Sequence, residues 1–390
     1  MRNTLTYLLA LGAVSSVSAE IKIEPTLHFT AVGGTTSADS ISELAAHAHD
    51  PLDEVGIQAL EMGMNLHLDE WLKGFVNVTA FTDSAGDLDA EWEEGFLKLV
   101  DLPFDLEVRG GRFLNRFGSQ NNRHLHSWNF VDANLSTSTF LGEEGLFTEG
   151  GELSWSKEFD QGFFVLNGSF GNAVVHDHHG EEEDHHGEEE NHDGDEIEEE
   201  HGHEEGAENA YFNDTFWTVN ALVGFNQNDF NQHRFGLNLA QGDNAYDGGE
   251  SEVFSADYAF AWRENGLEPG GQSFSAGAEF FHRNVVYEVG EDASHIGWML
   301  FAAYELNKDW RFDFRYDRIN EVEAGLHEDE YEFAIHGRER YSLAATRALQ
   351  ISDESLARVR LQYNHDKLEE GSEDSIWLQF SYDFGRGEVR

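Results

Sequence analysis

IWLQFSYDF, residues 376–384, alternates without a break. Ile376, Leu378, Phe380, Tyr382 and Phe384 fall on one face, and Trp377, Gln379, Ser381 and Asp383 on the other. Successive side chains of a strand point to opposite faces, so this period of two predicts β-structure. Working outward, the pattern returns three times. Phe312, Phe314 and Tyr316 oppose Arg311, Asp313 and Arg315; Ala357, Val359, Leu361 and Tyr363 oppose Arg358, Arg360 and Gln362; Phe235, Leu237 and Leu239 oppose Arg234, Gly236 and Asn238. The polar face carries full charges of both signs. A soluble sandwich also has one polar face, so alternation alone does not choose between a sandwich and a barrel.

The spacing of the connections does choose. Roughly sixteen candidate strands can be counted, at about 21–32, 54–68, 71–82, 91–100, 104–113, 145–157, 162–173, 214–226, 230–241, 250–263, 272–286, 295–306, 310–318, 330–346, 355–364 and 375–384. Connections after even-numbered strands are mostly short, with longer ones near Glu264–Gly271 and Arg347–Glu354, and the longest connections all follow odd-numbered strands. Short turns at one end and long loops at the other are the signature of an outer-membrane barrel. Trp71, Trp155 and Trp310 fall near predicted short turns, and Trp92, Trp217 and Trp298 near the opposite ends, as two aromatic girdles would. The expected fold is therefore all-β, a transmembrane antiparallel β-barrel of about sixteen strands with long external loops. Phe384 is expected to end the last strand.

Composition agrees. The 390 residues carry a formal charge of -52, which excludes a nucleic-acid partner by repulsion of phosphates and favours cationic ligands. There is no cysteine, so disulfides, thiolate metal sites and thiol chemistry are excluded. Thirty-nine glycines, four prolines and thirty phenylalanines suit sheet with a large apolar surface. Residues 1–19 read as a secretory signal: Arg2, a short apolar run from Leu5 to Val14, and Val17-Ser18-Ala19 before the cleavage point. The remaining 20–390 read as a single barrel in the outer membrane of a Gram-negative cell, with membrane lipid around it.

Between Val175 and Asn209 the sequence departs from everything else. Its eight histidines are His176, His178, His179, His185, His186, His192, His201 and His203, separated by Asp, Glu and Gly with no Lys or Arg. Nothing there can build a core, so the segment is expected to be a long polar external loop. Neutral imidazole suits zinc, copper or nickel, and carboxylate adds oxygen ligands and charge. The segment reads as a divalent-metal sponge, zinc first; the plainer alternative is a solvated acidic run. Neighbouring carboxylates should raise its histidine pKa values, so protons should compete with metal at mildly acid pH.

Other histidines fall in loops on the same side. His124 and His126, two residues apart, share a face if extended and can share one ion, with a third ligand from Glu143, Glu144 or the histidine-rich segment. The alternative is a loop folded into the lumen as a constriction, its histidines hydrogen-bonded within it. His47 and His49 sit beside Glu43, Asp50, Asp53 and Glu54 in an equivalent arrangement or a plain polar loop. Arg109, Arg311, Arg315, Arg358 and Arg360 are candidates for a charged lumen wall, either as a cross-barrel ladder with Asp105, Glu107 and Asp313 or as a solute track. No Gly-Lys-Ser/Thr, His-Glu-x-x-His or Gly-x-Ser-x-Gly motif is present, so no catalysis is expected.

One region carries a resemblance. From His49 to about Ser154 the chain reads His49-Asp50-Pro51, Glu94-Gly95-Phe96-Leu97, Leu106-Glu107-Val108-Arg109-Gly110-Gly111-Arg112-Phe113, Asn115-Arg116-Phe117-Gly118, then His124-Leu125-His126, Phe130-Val131-Asp132 and Phe140-Leu141-Gly142. This resembles the porin-like outer-membrane family labelled zinc-regulated outer-membrane receptor. More distantly, it is similar to phosphate-selective porins of the O/P type. The resemblance covers about a quarter of the chain and implies an outer-membrane barrel whose expression or ligand is linked to zinc.

The expected function is thus a porin-like channel that concentrates divalent metal, zinc foremost, at its mouth for uptake. No cofactor is required; zinc or a similar cation is the ligand, and small solutes are the other candidate cargo. Two alternatives stand beside it: a barrel-anchored surface protein that buffers metal or adheres without transport, and a general diffusion porin. Nothing in the residues decides whether such barrels form homotrimers, as many sixteen-stranded porins do.

Overall fold

The computed structural model describes residues 21–38, 44–51, 55–83, 86–174, 208–288, 291–327, 330–369, 371–385 and 387–389. The signal segment 1–19 and all eight histidines of 175–209 lie outside these described residues.

Among the described residues eighteen strands follow in chain order, the first nine being β1 Ile21–Thr36, β2 Gly56–Leu68, β3 Leu72–Thr82, β4 Leu88–Leu102, β5 Leu106–Leu114, β6 Phe147–Phe159, β7 Gly162–Ala173, β8 Phe212–Asn226 and β9 Asn231–Asn244. The second half comprises β10 Glu250–Arg263, β11 Ser273–Glu288, β12 Glu291–Asn307, β13 Trp310–Ile319, β14 Val322–His327, β15 Glu330–Ile335, β16 Arg338–Ser352, β17 Ser355–Leu368 and β18 Gly371–Phe384. A short helix, α1, spans Leu135–Leu141. Sixteen of the strands form one closed antiparallel barrel, and β14 and β15 form a separate hairpin. The barrel closes where β1 meets β18, with Leu27 opposite Phe384 and Ala31 opposite Phe380. Closure removes the unpaired strand edges that hydrocarbon cannot satisfy.

Exposure runs the opposite way from that of a soluble sheet. In β18, Ile376, Leu378 and Phe380 are 50, 57 and 44% accessible, whereas Trp377, Gln379 and Ser381 are 3, 3 and 4%. The apolar face looks outward and the polar face looks into the molecule. β13 and β17 repeat this, with Phe312, Phe314, Leu361 and Tyr363 outward and Asp313, Arg315, Arg360 and Gln362 buried. An outward apolar band is what lipid requires. Among the described residues no helix is long and apolar enough to cross a membrane.

Connections alternate as expected, with two corrections. The strand expected at 330–346 is two elements. Residues 330–335 are one arm of the β14–β15 hairpin, and the barrel strand starts at Arg338 and pairs with β13 through Ile319. The apolar stretch around Phe333 and Ile335 resembles a membrane strand because it is also buried, but against protein: both side chains join an interior cluster with Leu135, Phe140, Phe281 and Val285. The connection placed near Arg347–Glu354 is not long. β16 continues to Ser352, which faces Ser355 across a two-residue turn. Phe384 is the last residue of β18, as expected.

Residues 115–146, between β5 and β6, carry α1 and fold into the barrel. Asn134 caps α1 by accepting from the Thr137 amide at 2.7 Å, and Gly142, with φ +106°, ends it. Asn121 ties the base of this segment, donating to the carbonyls of Asn115 at 2.8 Å and Leu146 at 3.0 Å.

Candidate metal centre inside the barrel

The inserted segment lies against the wall formed by β13, β16, β17 and β18 through arginines. Asp132 is the anchor. It accepts from Arg315 at 2.9 Å, Arg340 at 2.8 Å, Gln362 at 2.8 Å and Asn364 at 2.8 Å. Burial alone would raise the Asp132 carboxyl, but Arg315 and Arg340 outweigh it and hold it at about 2. Arg360 donates to the carbonyls of Phe130 at 2.9 Å and Trp128 at 2.7 Å. Arg358 donates to the His126 carbonyl at 2.8 Å and to Asp383.

The five arginines expected on the lumen wall are therefore inside the barrel, with distinct tasks. Arg315, Arg358 and Arg360 clamp the inserted segment. Arg109 pairs with Glu152 at 2.9 Å and lies over the Phe113 ring, 4.0 Å from its centre. Glu107 and Asp105, expected opposite it, pair instead with Lys98 and Lys157. Arg311 pairs with Asp313 and Glu305, both at 2.9 Å, and borders the remaining lumen. There a cavity of about 380 Å³ opens between the segment and the far wall, lined among others by Arg123, Phe130, Arg234, Phe260, Phe301 and Arg311.

On the opposite side of the segment, histidines and carboxylates meet. His124 is buried with Nδ1 2.8 Å from Glu93 and Nε2 2.8 Å from Glu94. His126 donates from Nδ1 to Glu61 and stacks on His28, ring centres 3.6 Å apart and 8° from parallel. His28 reaches Asp383 at 2.9 Å. Burial opposes charge on His126, but Glu61 outweighs it and raises its pKa. His49, arriving from the β1–β2 connection, lies 3.1 Å from Glu91 and 3.9 Å from Glu93 through Nε2. His47 packs edge-on against Trp128 at 5.0 Å. Burial, reinforced by His49, pushes the His47 imidazole down to about 3, so it is neutral. Burial also opposes charge on His49, yet the hydrogen bond it donates to Glu91 and the charges of Glu91 and Glu93 raise its pKa. A cavity of about 30 Å³ adjoins these groups, lined among others by His47, His49, Glu91, Glu93, His124 and Glu144.

The four histidines expected as ligands outside the 175–209 segment are thus brought to one side of the lumen. His124 and His126, with ring centres 6.1 Å apart, share no group of convergent donors among the described residues: each has its own carboxylates, and His126 is grouped with His28 and Glu388. Their nearest carboxylate partners are Glu93, Glu94 and Glu61. Only Glu144 of the two acids expected there borders the same cavity. His49 is buried, which excludes a plain surface loop.

Sequence reading missed His28, Glu61, Glu91, Glu93, Glu94 and Glu388. The reason is most evident in β4. Across from β3, Asn77 faces Glu94 and Val78 faces Trp92, leaving Glu93 as an extra residue in a β-bulge. Alternation would send Glu93 and Glu94 to opposite faces. The bulge turns both inward, 7 and 0% accessible, while Trp92 stays outside at 56%. No composition signal marks that bulge. Glu388 follows the last strand, and its tail is held by Asn65, which accepts from the Val389 amide at 2.8 Å.

No family model matches the chain. A curated relative, an uncharacterized protein of Aquifex aeolicus (strain VF5), is 36% identical over 63 residues, 16% of this chain and 13% of that protein's length. Among solved structures the chain is similar to a loop-deletion mutant of OmpT, an outer membrane protein of Vibrio cholerae, with a TM-score of 0.55, 10% identity and coverage of 94% of this chain and 99% of that one. It is similar to the anion-selective porin from Comamonas acidovorans, with a TM-score of 0.53, 12% identity and coverage of 94 and 100%. The outer membrane channel DcaP of Acinetobacter baumannii gives a TM-score of 0.52, 9% identity and coverage of 95 and 99%. At these identities the likeness speaks for the fold. A closed sixteen-stranded antiparallel barrel with an apolar exterior and a polar interior is a transmembrane barrel of the Gram-negative outer membrane.

Proposed function

We propose that this barrel is a porin-like channel that concentrates divalent metal ions, zinc foremost, at its mouth and passes them inward. What supports the reading is where His47 and His49 enter the barrel. They come from the β1–β2 connection, on the rim at which β7 ends and β8 begins, and in the sequence the eight histidines stand between those two strands. An acidic, imidazole-rich mouth attracts cations electrostatically and exchanges them quickly, because many equivalent weak sites compete.

A second reading has its own support. The cavity of about 380 Å³ beside the segment, bordered by Arg123, Arg234 and Arg311, suits a diffusion porin for small solutes. In that case the histidine-rich segment is incidental. Since one similar structure is a trimer form of OmpT, we also propose homotrimeric assembly for this barrel.

The test is single-channel conductance in planar bilayers, with and without micromolar zinc. It compares the wild type with a full-length variant carrying H176Q, H178Q, H179Q, H185Q, H186Q, H192Q, H201Q and H203Q. Cation flux that responds to zinc only in the wild type supports metal capture at the mouth. Open channels indifferent to zinc in both proteins support the diffusion porin and refute the metal reading. Absence of any conductance refutes both and leaves a barrel that only anchors its loops.

A further inference from the structure

Three strand pairings place His28 of β1 opposite Glu61 of β2, Glu61 opposite Thr79 of β3, and Thr79 opposite Glu91 of β4. This row crosses four adjacent strands on the inner wall. At about 4.8 Å per strand it spans about 14 Å, and because barrel strands tilt by roughly 40° it climbs about 9 Å along the axis. Its two ends are fixed by chain connectivity. His49 comes from the β1–β2 connection at the long-loop rim and meets the Glu91 end. Glu388 comes from the tail beyond β18 at the short-turn rim and meets the His28 end, where the donor atoms of His28, His126 and Glu388 lie within 4.8 Å of one another. His124 fills the middle, between Glu93 and Glu94.

We propose that this seam is a divalent-cation relay with two coordination stations, His49–Glu91–Glu93 near the mouth and His28–His126–Glu388 deeper in, bridged by Glu93 and His124. It rests on the reading above for the identity of the ion, and on none of the residues of the 175–209 segment.

Three observations carry it. First, the donor sets are of the right kind: imidazole plus carboxylate, without thiolate, as zinc, cobalt and nickel accept. Second, the spacing is close to that of a coordination sphere. Bonds of about 2.0–2.2 Å in a tetrahedral site separate donor atoms by about 3.3 Å. His49 Nε2 already stands 3.1 Å from Glu91 and 3.9 Å from Glu93, and the donor atoms of His28, His126 and Glu388 all lie within 4.8 Å of one another. Third, His28 Nε2 at the second station is buried and has no hydrogen-bond partner among the described residues, and Glu61 Oε1, beside it on the neighbouring strand, is buried without one as well. Buried polar atoms are ordinarily satisfied, so two side by side at the second station point to a ligand. The 30 Å³ cavity beside the first station has room for an ion or a water.

Loading the first station is an exchange. The proton shared between His49 Nε2 and Glu91 leaves to solvent as the ion takes the same lone pairs, so binding releases a proton. Every donor keeps its electron pair; nothing is oxidised or reduced. An ion leaving the first station is next met by Glu93, which also contacts His124, and then by the second.

The test uses the full-length chain carrying the eight loop substitutions named above, stripped with a chelator and titrated with Co²⁺. Bound equivalents are read by calorimetry and by visible absorption. About two equivalents are expected. E91Q is expected to weaken one station, and E388Q the other, by at least about tenfold. Heat-modifiable gel mobility checks folding of each variant. The same two substitutions in the wild-type chain give a second reading as a loss of tight equivalents. A folded eight-glutamine chain that binds no Co²⁺ overturns the relay. So does binding that neither E91Q nor E388Q weakens. Loss of all binding with the eight substitutions refutes the relay while leaving capture at the mouth standing. Equal binding by wild type and eight-glutamine chain supports the relay and refutes capture at the mouth.

Discussion

Replacing Asp132 by alanine should release the inserted segment. Asp132 accepts four hydrogen bonds, two from arginines that are each 2% accessible. Removing one partner of a buried ion pair costs about 3–5 kcal/mol, because the remaining charge stays desolvated. Here the cost falls at the lower end of that range, because Arg315 keeps Asp317 at 2.7 Å and Arg340 keeps Asp366 at 2.8 Å. Gln362 and Asn364 each lose an acceptor, adding about 1 kcal/mol apiece at most. A total of about 4 kcal/mol changes the ratio of seated to released segment roughly a thousandfold. The barrel itself should survive, since all sixteen strand pairings are untouched. D132A should therefore fold with normal heat-modifiable gel mobility, yet show raised single-channel conductance and added open-channel noise. D132N, which keeps an acceptor oxygen, should fall between. A folded D132A channel with wild-type conductance and noise would refute the claim that this clamp seats the segment.

Acid should act on the same anchor. The Asp132 carboxyl is held at about 2 against an ordinary 3.8, so its stabilisation is complete above about pH 4 and lost as pH falls toward 2. The conductance change that comes from Asp132 should appear only below about pH 4 and be absent from D132N, and its persistence in D132N would contradict this assignment. Gly111 has φ +134°, and a Cβ there would meet the Gly95 carbonyl oxygen at 2.3 Å. G111A should destabilise the β4–β5 pairing by about 1–3 kcal/mol, read as a lower temperature of gel-mobility conversion. Leu378 is 57% accessible on the outer face. L378R should cost about 2–4 kcal/mol if the residue sits at the bilayer midplane, measured by denaturant titration of folding into vesicles, whereas a neutral result would place it outside the apolar band.

The sequence by itself determined the barrel. Period-two alternation is a local property, so the outward row Ile376, Leu378, Phe380 and the inward row Trp377, Gln379, Ser381 could be read from nine residues. The alternation of short and long connections is equally local, and it separated a barrel from a sandwich before any exposure was known. The histidines at 47, 49, 124 and 126 were legible as a class because imidazole is uncommon in ordinary loops. What only the tertiary structure decided was their partners. Glu93 and Glu94 face inward together because of one extra residue in β4, and Glu61 and Glu388 lie 65 and 262 residues from His126 in the chain. In a protein with seventy-six acidic residues, any one of them is an equally good candidate on paper. The hairpin arm at 330–335 was mistaken for wall for a related reason: burial in protein and burial in lipid select the same apolar side chains, and only the path of the chain distinguishes them.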